Sequence, residues 1–232
     1  MDGIFNVYKE PGYTSFAVVA RMRGILQMRK IGHTGTLDPD AQGVLVICAG
    51  RACKLVDTFI HDDKEYRAVM LLGVRTDTQD TSGTVLSTCD VSVTEDEVEE
   101  AVMSFEGGYD QLPPMYSAKK IKGKKLVDLA RKGIEVERAP KHVSIDSIRI
   151  EKIDLPRVEF TATVGKGTYI RTLCSDIGEK LGCGACMEKL TRTRSGRFKI
   201  EDALTLKQLE ALRDEGRLEE VMDTRGIPEP LQ

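Results

Sequence analysis

The chain has 232 residues, 41% of them hydrophobic and 31% charged, with no tryptophan and a formal net charge of -3. That length supports a substantial core in one domain or two small ones, and the composition is that of an ordinary globular protein, not a fibrous or disordered chain. No apolar run is long enough to cross a bilayer, and the start, Met1-Asp2-Gly3 leading to Lys9-Glu10-Pro11, fits no secretory signal, so the expected location is the cytoplasm.

Gly3 to Lys9 reads as a strand, and Thr14-Ser15 caps a helix whose apolar positions Phe16, Val19, Ala20 and Met22 recur near helical spacing. A glycine-bounded loop follows, Gly32-His33-Thr34-Gly35-Thr36-Leu37-Asp38-Pro39, and then a buried strand at Val44 to Ala49 and a short helix at Ala52 to Phe59. Tyr66 to Leu72 is apolar enough for another strand, and Thr94-Glu-Asp-Glu97 is a capping box opening an acidic helix to about Phe105. Ile121-Lys122-Gly123-Lys124 signals a turn, Lys125 to Lys132 a helix stopped by Gly133. Two strands are expected near Val143 to Ile153 and Arg157 to Val164.

Tyr169 to Leu181 is an amphipathic helix with Ile170, Leu173, Cys174, Ile177 and Leu181 on one stripe and Arg171 off it. Arg192 to Ile200 is strand-like, and Thr205-Leu-Lys-Gln208 caps a last helix. Strands and helices mix without strict alternation, which predicts an α+β fold with a mostly antiparallel sheet. No repeat, low-complexity tract or linker interrupts the chain, so one catalytic domain is expected.

The small net charge hides local patches. Residues 201–232 hold nine acidic and four basic side chains, leaving 28 acidic and 30 basic for residues 1–200. Ser117 to Lys141 carries nine basic residues, among them Lys119, Lys120, Lys122 and Lys124, against three acidic ones, and Met187 to Lys199 carries five against one. Phosphate attraction acts over a Debye length of about 10 Å, so local patches govern it. Six cysteines in such a chain read as reduced, packed thiols. Cys183-Gly-Ala-Cys186 has the spacing of half a zinc site, but the only histidines are His33, His61 and His142, far apart in sequence, and no metal is expected.

The proline after Asp38 disfavours the helical region for that aspartate, so one carboxylate is presented on a restrained loop just before a buried strand. Four further segments accompany it in order: Lys64-Glu65-Tyr66 running into Leu71-Leu72-Gly73; Leu112-Pro113-Pro114-Met115-Tyr116-Ser117-Ala118; Lys166-Gly167-Thr168-Tyr169-Ile170-Arg171-Thr172-Leu173; and Leu190-Thr191-Arg192-Thr193-Arg194-Ser195-Gly196-Arg197-Phe198. With these motifs the chain resembles, from about residue 3 to about residue 224, the TruB family of tRNA pseudouridine synthases.

The resemblance implies the pseudouridine synthase fold, a mixed, mostly antiparallel sheet with flanking helices and a central cleft, over residues 1–224, followed by a short tail at residues 225–232. Many relatives continue into an RNA-binding PUA domain, which this sequence does not include. The implied reaction is isomerisation of the T-loop uridine of tRNA (position 55 in tRNA numbering) to pseudouridine, with no cofactor and no metal. Asp38 is implied as the catalytic carboxylate, either attacking the sugar or assisting proton removal at C2′. Tyr66 would stack on the uracil and relay a proton, and Arg171 would pair with Asp38, a neighbouring cation keeping the carboxylate ionised.

Because the target base lies inside a folded loop, it must be flipped out at a cost of about a few kcal/mol. His33 resembles the residue that fills the space left behind, and Leu190 the one lining the uracil pocket. Lys9 matches the lysine of the family's Lys-Pro-x-Gly motif, although here Glu10 replaces the proline and Pro11 follows one position later. Lys9, Arg192 and the four lysines from Lys119 to Lys124 are the remaining expected RNA contacts. The expected partner is the tRNA T-arm, met by a monomer with no membrane and no obligatory protein partner. Two alternatives stand beside this: a noncatalytic tRNA-binding or RNA-folding module, which would not need Asp38, Tyr66 and Arg171 together, and a glycoside hydrolase, which needs a second carboxylate flanking the bond. No second carboxylate motif stands out.

Overall fold

The computed structural model describes residues 1–121 and 123–229; Lys122 lies outside them. The chain forms two compact units, one of residues 1–65 and 190–232, the other of residues 66–189.

In the first unit, β1 (Gly3–Lys9) runs antiparallel to β3 (Gln42–Ala49), registered from Gly3 opposite Ala49 to Lys9 opposite Gly43. Between them lie α1 (Ser15–Ile25) and β2 (Ile31–His33), and β2 pairs antiparallel with β3. Period-2 alternation splits the apolar residues of β1 and β3 between two faces. Phe5, Val7, Leu45, Ile47 and Ala49 pack with Val18, Val19, Met22 and Ile25 of α1 and with Leu206 and Leu209. Ile4, Val44, Val46 and Cys48 pack on the other face with Ala52, Phe59 and Phe198. The helix expected over Ala52 to Phe59 is a 3-10 turn at Gly50–Leu55 followed by α2 (Val56–Ile60).

The second unit begins within β4 (Lys64–Leu72). It continues through the hairpin β5 (Val74–Thr76) and β6 (Val85–Thr88), α3 (Glu95–Met103), β7 (Tyr109–Gln111), the two-residue strands β8 (Lys120–Ile121) and β9 (Lys124–Lys125), and α4 (Leu126–Ala130). Next come β10 (Lys141–Val143), paired with β7, then β11 (Ile145–Asp154), β12 (Arg157–Val164) and α5 (Ile170–Lys180). β11, β12 and β4 are successive neighbours in one sheet, and α3 packs on β11 and α5.

β13 (Ala185–Ser195) carries the chain back into the first unit, where it pairs parallel with β3 at Thr191–Gln42 and Arg192–Gly43. This register needs glycine at 43, because a Cβ there would lie 2.2 Å from the Arg192 carbonyl oxygen. β14 (Phe198–Lys199), β15 (Leu204–Thr205), parallel to β1, and α6 (Leu206–Asp214) complete that unit. The parallel pairs beside the antiparallel ones, with helices flanking them, make an α+β fold with a mixed sheet.

Two expectations are corrected. The strand expected from Arg192 to Ile200 starts seven residues earlier, at Ala185, and turns at Gly196 with φ 54°. Its first three residues are all buried, so no alternation marks them. Arg171, placed off the apolar stripe of its helix, is nonetheless buried at 5% exposure.

Candidate active site

In the first unit, Asp38 sits half-buried on the loop joining β2 to β3. Its main chain is tied on both sides. Upstream, the Ser15 hydroxyl accepts from the Leu37 N–H at 2.9 Å and donates to the Leu37 carbonyl at 3.1 Å. Downstream, the Pro39 carbonyl accepts from the Gly12 N–H at 2.9 Å and from Lys9 Nζ at 2.9 Å, and Lys9 Nζ also donates to the Ala41 carbonyl at 2.6 Å. Lys9 is fully buried, with a third bond from Nζ to the Glu10 carbonyl at 3.3 Å. Its ammonium has three donors, and all three serve the protein's own carbonyls. Burial lowers the Lys9 pKa to about 8 and the Arg192 charge adds to that, while Asp38 and Asp40 pull it upward.

Arg192 is 2% exposed and turned to the same loop: Nε donates to the Val44 carbonyl at 2.7 Å and Nη2 to the Gly35 carbonyl at 3.1 Å. It too ties the loop internally. His33 accepts the Gly35 N–H at Nδ1 at 3.3 Å, so the neutral ring carries its proton on Nε2. Burial and the Arg192 charge hold the His33 pKa below its ordinary value, which favours that neutral form. Leu190, on β13, is 8% exposed.

In the second unit, Tyr66 is half-buried on β4. Arg171 is the second residue of α5 and donates from Nη1 to the Thr78 carbonyl and from Nη2 to the Tyr116 carbonyl, each at 2.9 Å, with Asp80 Oδ2 3.7 Å from Nη1. A cation at a helix N-terminus opposes the helix dipole, and these acceptors compensate it. The start of α5 is itself held by Gln111, 1% exposed, which accepts the Tyr169 N–H at 2.8 Å and donates to the Tyr169 carbonyl at 3.0 Å. The Gln111 amide also donates to the Tyr109 hydroxyl at 2.7 Å, and that hydroxyl donates to Asp176 at 2.6 Å. Burial raises the Asp176 pKa against the effect of that bond.

Lys120, Lys124 and Lys125 are exposed on the β8–β9 hairpin and Lys119 is half-buried beside it; the expected contact at Lys122 lies outside the described residues. All six cysteines are free thiols, and burial pushes Cys186 up to about 11. Among the described residues no group of three or more His, Cys, Asp or Glu side chains could hold a metal ion.

Sequence reasoning passed over Asp80, Gln111 and the Ser15 hydroxyl as site-building groups. Asp80 belongs to Asp77-Thr-Gln-Asp80 ahead of Ser82-Gly83, which reads as a polar turn, and Gln111 directly precedes the Leu112-Pro113-Pro114 segment. Only the folded chain sets them against Arg171 and Tyr169.

The TruB family pseudouridylate synthase N-terminal domain matches residues 23–170, and the tRNA pseudouridylate synthase B C-terminal domain matches residues 171–225. The chain is 52% identical over 212 residues to tRNA pseudouridine synthase B of Alkaliphilus oremlandii, covering 91% of this chain and 71% of the relative. It is 51% identical over 210 residues to the protein of the same name from Clostridium tetani, covering 90% and 73%. Among solved structures it is similar to a chain of an H/ACA RNP bound to a substrate RNA containing 2′-deoxyuridine, at 30% identity and TM-score 0.72, covering 95% of this chain and 58% of that one. It is likewise similar to a chain of a Cbf5-Nop10-Gar1 complex, at 31% identity and TM-score 0.75, covering 95% and 59%. This chain therefore spans about three fifths of those solved chains. The class these matches define is that of the pseudouridine synthases, which are isomerases. Within it, the chain belongs to the TruB family.

Proposed function

We propose that the chain converts the T-loop uridine of tRNA, position 55 in tRNA numbering, to pseudouridine, with Asp38 as the catalytic carboxylate. The reaction breaks the bond from N1 to C1′, turns the detached uracil, and joins C5 to C1′; N1 gains a proton and C5 loses one. The observation that supports Asp38 most directly is its setting: a half-buried carboxylate on a loop whose main chain is tied at Leu37, Pro39 and Ala41 by buried groups. A preorganised carboxylate avoids the cost of orienting it during reaction, and a cleft that excludes water protects the intermediate from hydrolysis.

Membership in the family supports the remaining roles. Tyr66 stacks on the uracil and relays a proton, Arg171 supplies the active-site cation, Leu190 lines the base pocket, and His33 occupies the space the flipped base leaves. The exposed lysines of the β8–β9 hairpin meet the phosphates of the T-arm. The enzyme acts as a monomer without cofactor.

The test is release of tritium from uracil C5 in tRNA. Asp38→Asn keeps the side-chain volume but loses the carboxylate, and is expected to abolish release while tRNA affinity stays within about tenfold, since phosphate contacts carry most of that affinity. Turnover by Asp38→Asn near the wild-type rate overturns the assignment. Binding of tRNA by the unaltered protein with no release at all would mark a noncatalytic module instead.

A further inference from the structure

One short segment, residues 9–15, holds the main chain on both sides of Asp38. Lys9 and Gly12 tie the downstream side through the Pro39 carbonyl, and Ser15 ties the upstream side through both polar groups of Leu37. Lys9 has a burial and charge environment that accounts for it. The serine hydroxyl has no such local reason.

Ser15 is the first residue of α1, and a hydroxyl at a helix start ordinarily caps its own helix. That task belongs to Thr14, whose side chain accepts from the Ala17 N–H. Inside a helix, serine is a poorer choice than alanine, because its hydroxyl competes for backbone groups. Here the hydroxyl is 2% exposed and spent on a distant residue, 22 positions along the chain. One hydroxyl has a donor and two acceptor lone pairs, so a single buried atom satisfies both the N–H and the C=O of Leu37.

The Leu37 carbonyl belongs to the planar peptide group that ends at the Asp38 nitrogen. Fixing that carbonyl fixes the plane from which Asp38 departs, and the bond from the Ala41 N–H to the Asp38 carbonyl at 3.2 Å fixes the plane on its other side. Rotation of either plane would swing the carboxylate. We propose that Ser15 is a positioning residue, which by holding both main-chain groups of Leu37 sets the direction in which the Asp38 carboxylate faces its substrate. This rests on the reading of Asp38 as the catalytic carboxylate.

The experiment measures tritium release from tRNA, with kcat and KM separated, for Ser15→Ala, Ser15→Thr and Asp38→Asn, together with thermal midpoints. A misplacement of about 1 Å can cost about a hundredfold in rate, so Ser15→Ala is expected to lose about ten- to a hundredfold in kcat with KM for tRNA within about threefold. Ser15→Thr restores the hydroxyl and is expected to recover kcat to within about threefold, although its extra buried methyl lowers the thermal midpoint. A purely structural role predicts the opposite ordering, with kcat following the midpoint across both variants, and that result overturns the proposal. If Ser15→Ala does not fold at the assay temperature, Ser15→Cys, close in volume but a weak hydrogen-bonding group, replaces it and must also lose kcat. Inactive Asp38→Asn beside a folded, fully active Ser15→Ala or Ser15→Cys sinks the positioning role alone. Active Asp38→Asn sinks the reading of Asp38 and the proposal with it.

Discussion

Lys9 illustrates how the fold puts a charged side chain to structural use. Its match to the family's lysine motif implies a contact with RNA, and the folded chain buries it completely and spends its ammonium on carbonyls of the Asp38 loop. Burial brings its pKa down to about 8 from the ordinary 10.5. The charged tie is therefore complete below pH 8 and lost as the pH rises through that value. Between the two values the unfolded chain binds more protons than the folded one, so the contribution of Lys9 to stability rises with pH over the same window. We expect kcat to decline above pH 8 while the Lys9-dependent part of the unfolding free energy increases, and Lys9→Met to remove both trends. A kcat profile and urea titrations across that range check this; an alkaline limb surviving in Lys9→Met would separate Lys9 from the loop's function.

α1, α3 and α6 each start where a threonine side chain accepts one of the free N–H groups of the helix's first turn. Both capping boxes expected from sequence, at Thr94-Glu97 and Thr205-Gln208, are formed, because each is complete within four residues. α5 begins differently. Its N-cap Tyr169 makes no side-chain cap bond, and Gln111, 58 positions away, holds it instead. The exposed cap of α3 is worth about 1 kcal/mol, so Thr94→Ala should cost about that much. Gln111→Leu leaves the Tyr169 N–H without its partner, while the Tyr169 carbonyl keeps the bond from the Leu173 N–H, and should cost more, about 1 to 3 kcal/mol, because water is a poor substitute at a buried site. Urea unfolding of both variants measures the difference, and equal losses would show that Gln111 does not hold the helix.

Across the whole chain, the net charge of -3 says little about nucleic acid, since the last 32 residues are strongly acidic and the Ser117 to Lys141 stretch strongly basic. Replacing Lys119, Lys120, Lys122 and Lys124 by glutamine should weaken tRNA binding. The slope of log affinity against log salt should fall by about 0.7 to 0.9 for every lysine among them that neutralises a phosphate. A slope unchanged in salt titrations would make the patch a solvated face. No helix among the described residues is long and apolar enough to cross a membrane.

Legible before any folding were the features complete within a few residues: β1, the helix at Thr14-Ser15, both capping boxes, the β11 and β12 strands, and the motifs that carry the family. Period-2 alternation and cap chemistry are local, so they survive without a fold. The passage between the two units was not legible, because it falls inside β4 and β13, with no composition change to mark it. Nor were the inward turns of Lys9, Arg171 and Arg192. Each is a charged side chain whose burial is compensated by carbonyls or carboxylates brought from distant positions, among them Pro39 and Ala41 for the first, Thr78, Tyr116 and Asp80 for the second, Gly35 and Val44 for the third. Tertiary structure decided these, because a cation's burial depends on acceptors that no local sequence window contains.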